Sequence, residues 1–486
     1  MRKRNVLDLR NNWAVRAALV VLAVTVLRLG ALALTQADVF VDEAQYWLWG
    51  QTLDFGYYSK PPLIAWVIRA TTDLAGSSSA FWIRFPAPVF HGLTAMILGA
   101  WAARVYDDRT AFWTAIGYVT LPIVAVGSLM ISTDTIMAPF LAAGLLFYWR
   151  LLDSGRLTDA LMAGALVGVA FMAKYAGIYF FLGAVIAAIG VPFCRPSLRN
   201  VIALLAAFAV VISPNVIWNL AHDLTTAQHT MDNVSWVRGQ GQGSLLHPLA
   251  LLEFLATQFA VAGPVLFTAL LLSIHRSTAK TRALLLFALP VIALVCLQAL
   301  LSRAYGNWAF AAYLPGTLAA TAWLLSRSSR WLRISLLVNV VLVLAVPALT
   351  IFGTGATVAG RPILARYIGR DEMSRQILEI ADETRPAAIV TSNRDVLADL
   401  FLTGRKSPIP IRAVPPKDRA MSYYEQTYPL DPATKGTILF ISSQKQVICN
   451  GEPLSALAPF ETEGTAYEGK ELRAYLLRPD CFDAMR

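Results

Sequence analysis

Apolar runs of about twenty residues recur from Ala14 to Phe352, separated by short loops rich in arginine. In a bilayer the backbone can pair its own polar groups only as a helix or a closed barrel, and runs of this length suit helices. Across 486 residues, 56% are hydrophobic and only 15% charged, more apolar surface than a soluble fold of this size can bury. The expected fold is therefore an all-α polytopic membrane domain. About eleven spans are expected, near 14–34, 81–103, 110–131, 135–152, 159–173, 176–193, 201–220, 249–274, 283–301, 309–326 and 334–353.

The first run needs separate treatment because a basic N-terminal stretch precedes it, as in a signal peptide. It is long enough for a complete span, and no small-residue cleavage site follows before Asp38, so an uncleaved helix with a cytoplasmic N-terminus is expected. The net charge of +10 does not point to nucleic acid, since the cations sit in short loops between spans. Alternate loops carry Arg104 and Arg109, Arg150 and Arg156, Arg195 and Arg199, Arg276, Lys280 and Arg282, then Arg327, Arg330 and Arg333. The opposite loops hold Asp42, Glu43, Asp54, Asp134, Asp223 and Asp232. The positive-inside rule then sets an odd number of spans, with the C-terminus outside, on the side expected to be the periplasm.

Beyond Phe352 the long apolar runs stop. Short β-rich stretches at 388–391 and 437–441 alternate with helix-like segments such as 372–383, which predicts a small α/β domain. The expected division is a membrane domain over 1–353 and a periplasmic domain over 354–486. Cys194 and Cys296 belong to the membrane part, whereas Cys449 and Cys481 belong to the outer domain, where an oxidising compartment permits a disulfide.

The candidate chemistry starts just past the first span, at the adjacent carboxylates Asp42 and Glu43. If residues 42–53 are helical, Asp42, Gln45, Tyr46 and Trp49 share one face of an interfacial helix. Capping the positive end of that helix is the simpler role for the acids; catalysis is the other. Tyr57, Tyr58, Ser59 and Lys60 follow, with Pro61 and Pro62 restricting the backbone that presents Lys60. A lysine fixed at headgroup level suits a lipid-borne phosphate, or it snorkels beside anionic lipid. Asp134 opens a later span, and Lys174 lies at the tip between two short ones.

This set of motifs resembles the GT-C glycosyltransferases, in particular glycosyltransferase family 39 and the aminoarabinose transferases that modify lipid A. The likeness extends over roughly residues 10–350. It implies inverting transfer of a sugar from a polyprenyl-phosphate carrier to a periplasmic acceptor, most simply lipid A or lipopolysaccharide core. It also implies Asp42 as the catalytic carboxylate, with Glu43 and Asp134 as further acids. Lys60, Tyr57 or Tyr58, and Lys174 would bind the donor phosphate. Gln45 stands where aminoarabinose transferases carry arginine, and Ser59 where they carry glutamate. Those departures put their cationic contact, and a metal site built on the glutamate, in doubt. They argue mildly against aminoarabinose, which stays an alternative with a hexose; a uronic acid such as galacturonate is the substitute, since Arg238 or Arg303 could pair with its carboxylate.

The loop 221–248 adds His222, Asp223 and His229, a conceivable divalent-cation site without standard zinc spacing. It also adds Trp236 and Arg238, which could stack on and clamp a sugar or an acidic acceptor. Arg303, Tyr305, Asn307 and Trp308 form a similar set. The expected partners are membrane lipids, the lipid-linked donor and a glycolipid acceptor. A protein O-mannosyltransferase-like enzyme is the nearest alternative. A lipid or lipid-linked sugar transporter is the alternative of another class, but it calls for polar residues along the spans and usually an inverted repeat.

Overall fold

The computed structural model describes residues 12–233, 246–275, 277–358 and 360–485. It contains two compact units. The first comprises the chain up to Ala33, Asp54–Val67 and Arg84–Pro347; the second comprises Leu34–Leu53, Ile68–Ile83 and the chain from Ala348 onward.

Among the described residues, seven helices are long and apolar enough to cross a membrane: Trp13–Leu34, Ala80–Val105, Thr133–Ser154, Leu198–Ala221, Ala279–Leu301, Gly306–Arg327 and Ser329–Phe352. Of the other four expected spans, the two short ones that flank Lys174 are present as short helices, and the remaining two are broken. Leu157–Ala173 and Tyr175–Gly190 are short apolar helices, and residues 110–131 divide into Asp108–Val119 and Pro122–Gly127. Pro248–Val261 and Pro264–Leu272 meet at a bend of 110°. Gly263 lies at that corner with φ of 83°, a backbone angle that a side chain would strain, and the next residue is a proline that starts the second helix.

Close backbone approach binds the first unit together. Leu157–Ala173 packs on Leu198–Ala221 through Gly164 and Gly168, four residues apart; a Cβ on Gly164 would sit 2.0 Å from the Leu204 carbonyl oxygen. Lipid tails give helices little hydrophobic reason to associate, so small residues that permit close contact are what holds such pairs. Leu19, Val210, Leu220 and Leu337 are all more than half exposed, as expected of lipid-facing surface.

The second unit carries a five-stranded sheet in the order Ile411–Ala413, Ala388–Thr391, Ile438–Ser442, Arg473–Leu477, Ala458–Pro459. The first three strands are parallel, and Arg473–Leu477 runs antiparallel to both of its neighbours. The helix Arg394–Thr403 connects two of the parallel strands as a crossover. On one face Val390, Phe440 and Tyr475 are neighbours in the pairing register, and they belong to a core that includes Cys449 and Cys481. These two cysteines form a disulfide with a Cα separation of 5.1 Å.

Candidate active site

In the first unit, Ser132 starts the helix Thr133–Ser154 by accepting the Thr135 N–H at 3.2 Å. The Thr135 hydroxyl in turn meets His91 Nε2 at 3.2 Å, which anchors the first turn to a buried neighbour. Asp134 is thereby held on a fixed turn. Lys174 ends the helix Leu157–Ala173 in extended backbone, and its Nζ donates to both Asp134 oxygens at 2.7 Å. Asn307 Nδ2 donates to Asp134 Oδ2 at 2.9 Å. The Asp134 side chain is 9% exposed and that of Lys174 17%.

The segment after Lys174 is tied to the tyrosine loop. The Tyr175 hydroxyl donates to Asn215 Oδ1 at 3.1 Å, and Asn215 Nδ2 donates to the Phe55 carbonyl at 2.7 Å. Gly56 lies under the Trp218 ring, where any Cβ would come within 2.3 Å of ring carbon. The Thr226 hydroxyl donates to the Tyr57 carbonyl at 2.8 Å. The Tyr57 N–H donates to the Lys60 carbonyl at 3.1 Å, closing a tight loop ahead of the helix Leu63–Ala75. Burial raises the Tyr57 hydroxyl to about 12, so it remains a neutral donor. The Tyr58 ring lies 4.9 Å from the His229 ring. Lys60 is therefore carried on a backbone fixed from two sides.

Asp42 and Glu43 lie in the second unit, on the helix Val41–Gln51. The two acids have separate environments. Glu43 is 1% exposed and accepts the Phe40 N–H at 2.9 Å, so it caps its own helix. The Asp42 side chain is 48% exposed and pairs with Arg394 Nη2 at 2.5 Å. Arg394 also donates from Nε and Nη2 to Gln45 Oε1, at 3.1 and 2.9 Å. Burial opposes the Arg394 charge, but the Asp42 carboxylate more than offsets it, and the guanidinium pKa is raised. Tyr46, Trp47, Leu48 and Trp49 are all buried, so the helix is enclosed and does not lie bare in the membrane interface.

Arg394 was not among the residues singled out from sequence. It is the first residue of the helix that follows the strand Ala388–Thr391, and Asn393 caps that helix by accepting the Asp395 and Val396 N–H groups. Its position just past the carboxyl end of a parallel strand is where open α/β sheets present functional side chains. A strand followed by Thr-Ser-Asn-Arg-Asp was the readable signal.

The remaining candidates are placed differently. The His222 ring stacks on Trp218 at 4.1 Å, and its Nδ1 lies 2.8 Å from the Trp218 carbonyl. Asp223 adopts a φ of 54°. His222, Asp223 and His229 do not gather their ligand atoms within coordinating reach of one another among the described residues. Arg303 lies over the Tyr305 ring at 4.8 Å and also donates to its hydroxyl. Trp236 and Arg238 lie outside the described residues.

Comparison with known proteins agrees with this architecture. Residues 59–218 match the model of the dolichyl-phosphate-mannose-protein mannosyltransferase family. ArnT from Cupriavidus metallidurans has a similar fold in two crystal structures. The apo form aligns with a TM-score of 0.60 at 13% identity, covering 99% of this chain and all of that one. The form bound to undecaprenyl phosphate aligns at 0.62 and 15% identity, covering 96% and 98%. Lipopolysaccharide core galacturonosyltransferase RgtB of Rhizobium johnstonii is 28% identical over about half of each chain. Lipid A galacturonosyltransferase RgtD of the same organism is 40% identical over 95% of this chain and 98% of its own length. An all-helical membrane unit, an ArnT-like fold and near-full-length identity with RgtD together show that this chain belongs to the GT-C family of membrane glycosyltransferases that includes RgtD.

Proposed function

We propose that this enzyme moves galacturonate from a polyprenyl-phosphate carrier to lipid A on the periplasmic face of the inner membrane, with inversion at the anomeric carbon. The observation that carries the reading is the near-full-length match to a lipid A galacturonosyltransferase. The membrane part, residues 1–353, would provide most of the reaction chemistry, and residues 354–486 would supply Arg394.

In this reading the acceptor hydroxyl oxygen attacks the anomeric carbon as the bond to the carrier phosphate breaks. Asp42 takes the hydroxyl proton, and the phosphate leaves on the lipid with the bonding electrons. Its developing charge is met by fixed cations, Lys60 and Lys174, and by the Tyr57 or Tyr58 hydroxyl. Asp134 and Asn307 keep the Lys174 ammonium in place beforehand, so it need not reorganise during the reaction. Lysines meet the phosphate charge in this scheme, and a divalent cation is not required. Arg303, Trp236 and Arg238 are left as candidate contacts to sugar or acceptor.

The mannosyltransferase family match supports the same donor class, but its named protein acceptor rests on a third of the chain, whereas the glycolipid reading rests on nearly all of it. The test is a mass spectrum of lipid A and core from a deletion strain. Loss of one hexuronic acid from lipid A, restored by the wild-type gene, is expected. Unchanged lipid A together with an altered glycoprotein would move the acceptor to protein. Turnover of purified enzyme that EDTA abolishes and a metal restores would overturn the metal-free scheme.

A further inference from the structure

The second unit contains a polar cleft of about 510 Å³ that the proposed chemistry does not use. Arg69, Thr72, Asp73, Gly76, Ser77, Ser78, Arg405 and Lys406 line it, three cations against one carboxylate. Arg69 Nε is held by Asp73 at 2.5 Å, and its Nη1 reaches the Gly50 carbonyl at 3.3 Å. Arg405 and Lys406 are exposed.

The cations set the sign of the ligand, and the hydroxyls can serve it. Ser78 Oγ accepts the Trp47 indole N–H at 3.0 Å, and Ser77 Oγ accepts the Ser79 N–H at 3.3 Å. A hydroxyl that accepts once keeps its proton and one lone pair, so both serines can add a donor beside the three cations. That arrangement suits an anion. Leu74, one residue beyond Asp73, is 89% exposed, an apolar side chain bare beside a charged cleft, as at a lipid headgroup boundary.

Two residues that line the cleft, Arg69 and Ser78, hydrogen-bond to the helix that carries Asp42. Trp47 and Gly50 belong to Val41–Gln51, and eight residues of helix place Gly50 about 12 Å from Asp42 along the axis. An occupant of the cleft is therefore held a short glycan's length from the proposed base. We propose that this cleft binds a phosphate group on the headgroup of the glycolipid acceptor, and so sets which hydroxyl reaches Asp42. The proposal rests on the glycolipid reading above.

The test compares wild-type enzyme with the double variant Arg405→Ala, Lys406→Ala in nanodiscs of zwitterionic lipid, using phosphorylated and phosphatase-treated lipid A as acceptors. Losing two charge-assisted contacts should raise the KM for phosphorylated lipid A by about tenfold or more. The kcat and the donor KM should hold, and the swap Arg405→Lys, Lys406→Arg should restore most of the affinity. With phosphatase-treated acceptor, wild type and variant should have the same, raised KM. An unchanged KM in the variant, or an equal loss with both acceptors, overturns the cleft assignment while leaving the glycolipid reading intact. An effect that depends on anionic phospholipid in the disc and not on acceptor phosphate also overturns it, assigning the cations to the bilayer. Failure of the wild type to use either lipid A removes the glycolipid reading and the cleft with it.

Discussion

Two carboxylate–cation pairs among the described candidate residues are built in opposite ways. Asp134 and Lys174 in the membrane unit are almost enclosed, with both carboxylate oxygens engaged by one ammonium and an amide adding a third contact. Asp42 and Arg394 in the second unit are each nearly half exposed and meet through one short contact that Gln45 shares. Low dielectric makes the first pair strong and its disruption costly, because removing either partner leaves an uncompensated charge. Water screens the second, so it contributes little to stability and can be displaced. The enclosed pair suits a fixed electrostatic scaffold. The open pair suits a group that has to meet a substrate.

This contrast has consequences that differ in size. Replacing Lys174 with methionine keeps most of the volume but strands Asp134, and should cost roughly 3–5 kcal/mol along with loss of transfer. Chemical denaturation in detergent would measure it, and a stability loss below about 1 kcal/mol would mean that the pair is not enclosed in the working enzyme.

Replacing Arg394 with alanine should leave stability within about 1 kcal/mol of wild type. Turnover should nevertheless fall by roughly ten- to a hundredfold, because Asp42 and Gln45 lose the group that aligns them. Arg394→Lys should recover only part of this, since a lysine cannot span both partners as the guanidinium fork does. Unchanged kcat in Arg394→Ala would make the contact incidental.

The smallest effect concerns Asp38, at the entry to the helix that bears Asp42. Burial, reinforced by the neighbouring charge of Asp371, raises its pKa to about 7, even though the Arg370 N–H bonds to it at 2.7 Å. The folded protein then holds a proton that an unfolded chain releases near pH 4. Protonation therefore favours folding below about pH 4, and that contribution is lost as pH rises through 7. Thermal unfolding should occur at a higher temperature at pH 5.5 than at pH 8, and Asp38→Asn should flatten the difference. An equal slope in wild type and variant would place the titration elsewhere.

Much of this arrangement was legible in the sequence, and the exceptions have physical causes. Span-length apolar runs mark the membrane unit because a bilayer imposes length and composition together. Asp134, Lys174 and Asn307 were each visible as polar residues at the ends of apolar runs. Their meeting was not, because it joins segments 40 and 173 residues apart. Two expected spans are broken because hydropathy alone does not register corners such as Gly263-Pro264. Arg394 stayed hidden because it lies 352 residues from Asp42, in a domain whose local pattern speaks only of a strand and a helix cap. The helix face and the family likeness put Asp42 ahead of Glu43 in the sequence, and the capping of its own helix by Glu43 gives the physical difference.

The central claim is that the open carboxylate performs the transfer, and Asp42→Asn tests it most directly. The amide keeps volume and helix position while removing charge and basicity. A deletion strain complemented with this variant should show the protein at wild-type level in the membrane, with lipid A lacking the added hexuronic acid. In purified form, turnover should fall by at least about a hundredfold. Lipid A carrying the wild-type load of hexuronic acid, with turnover to match, would contradict the account.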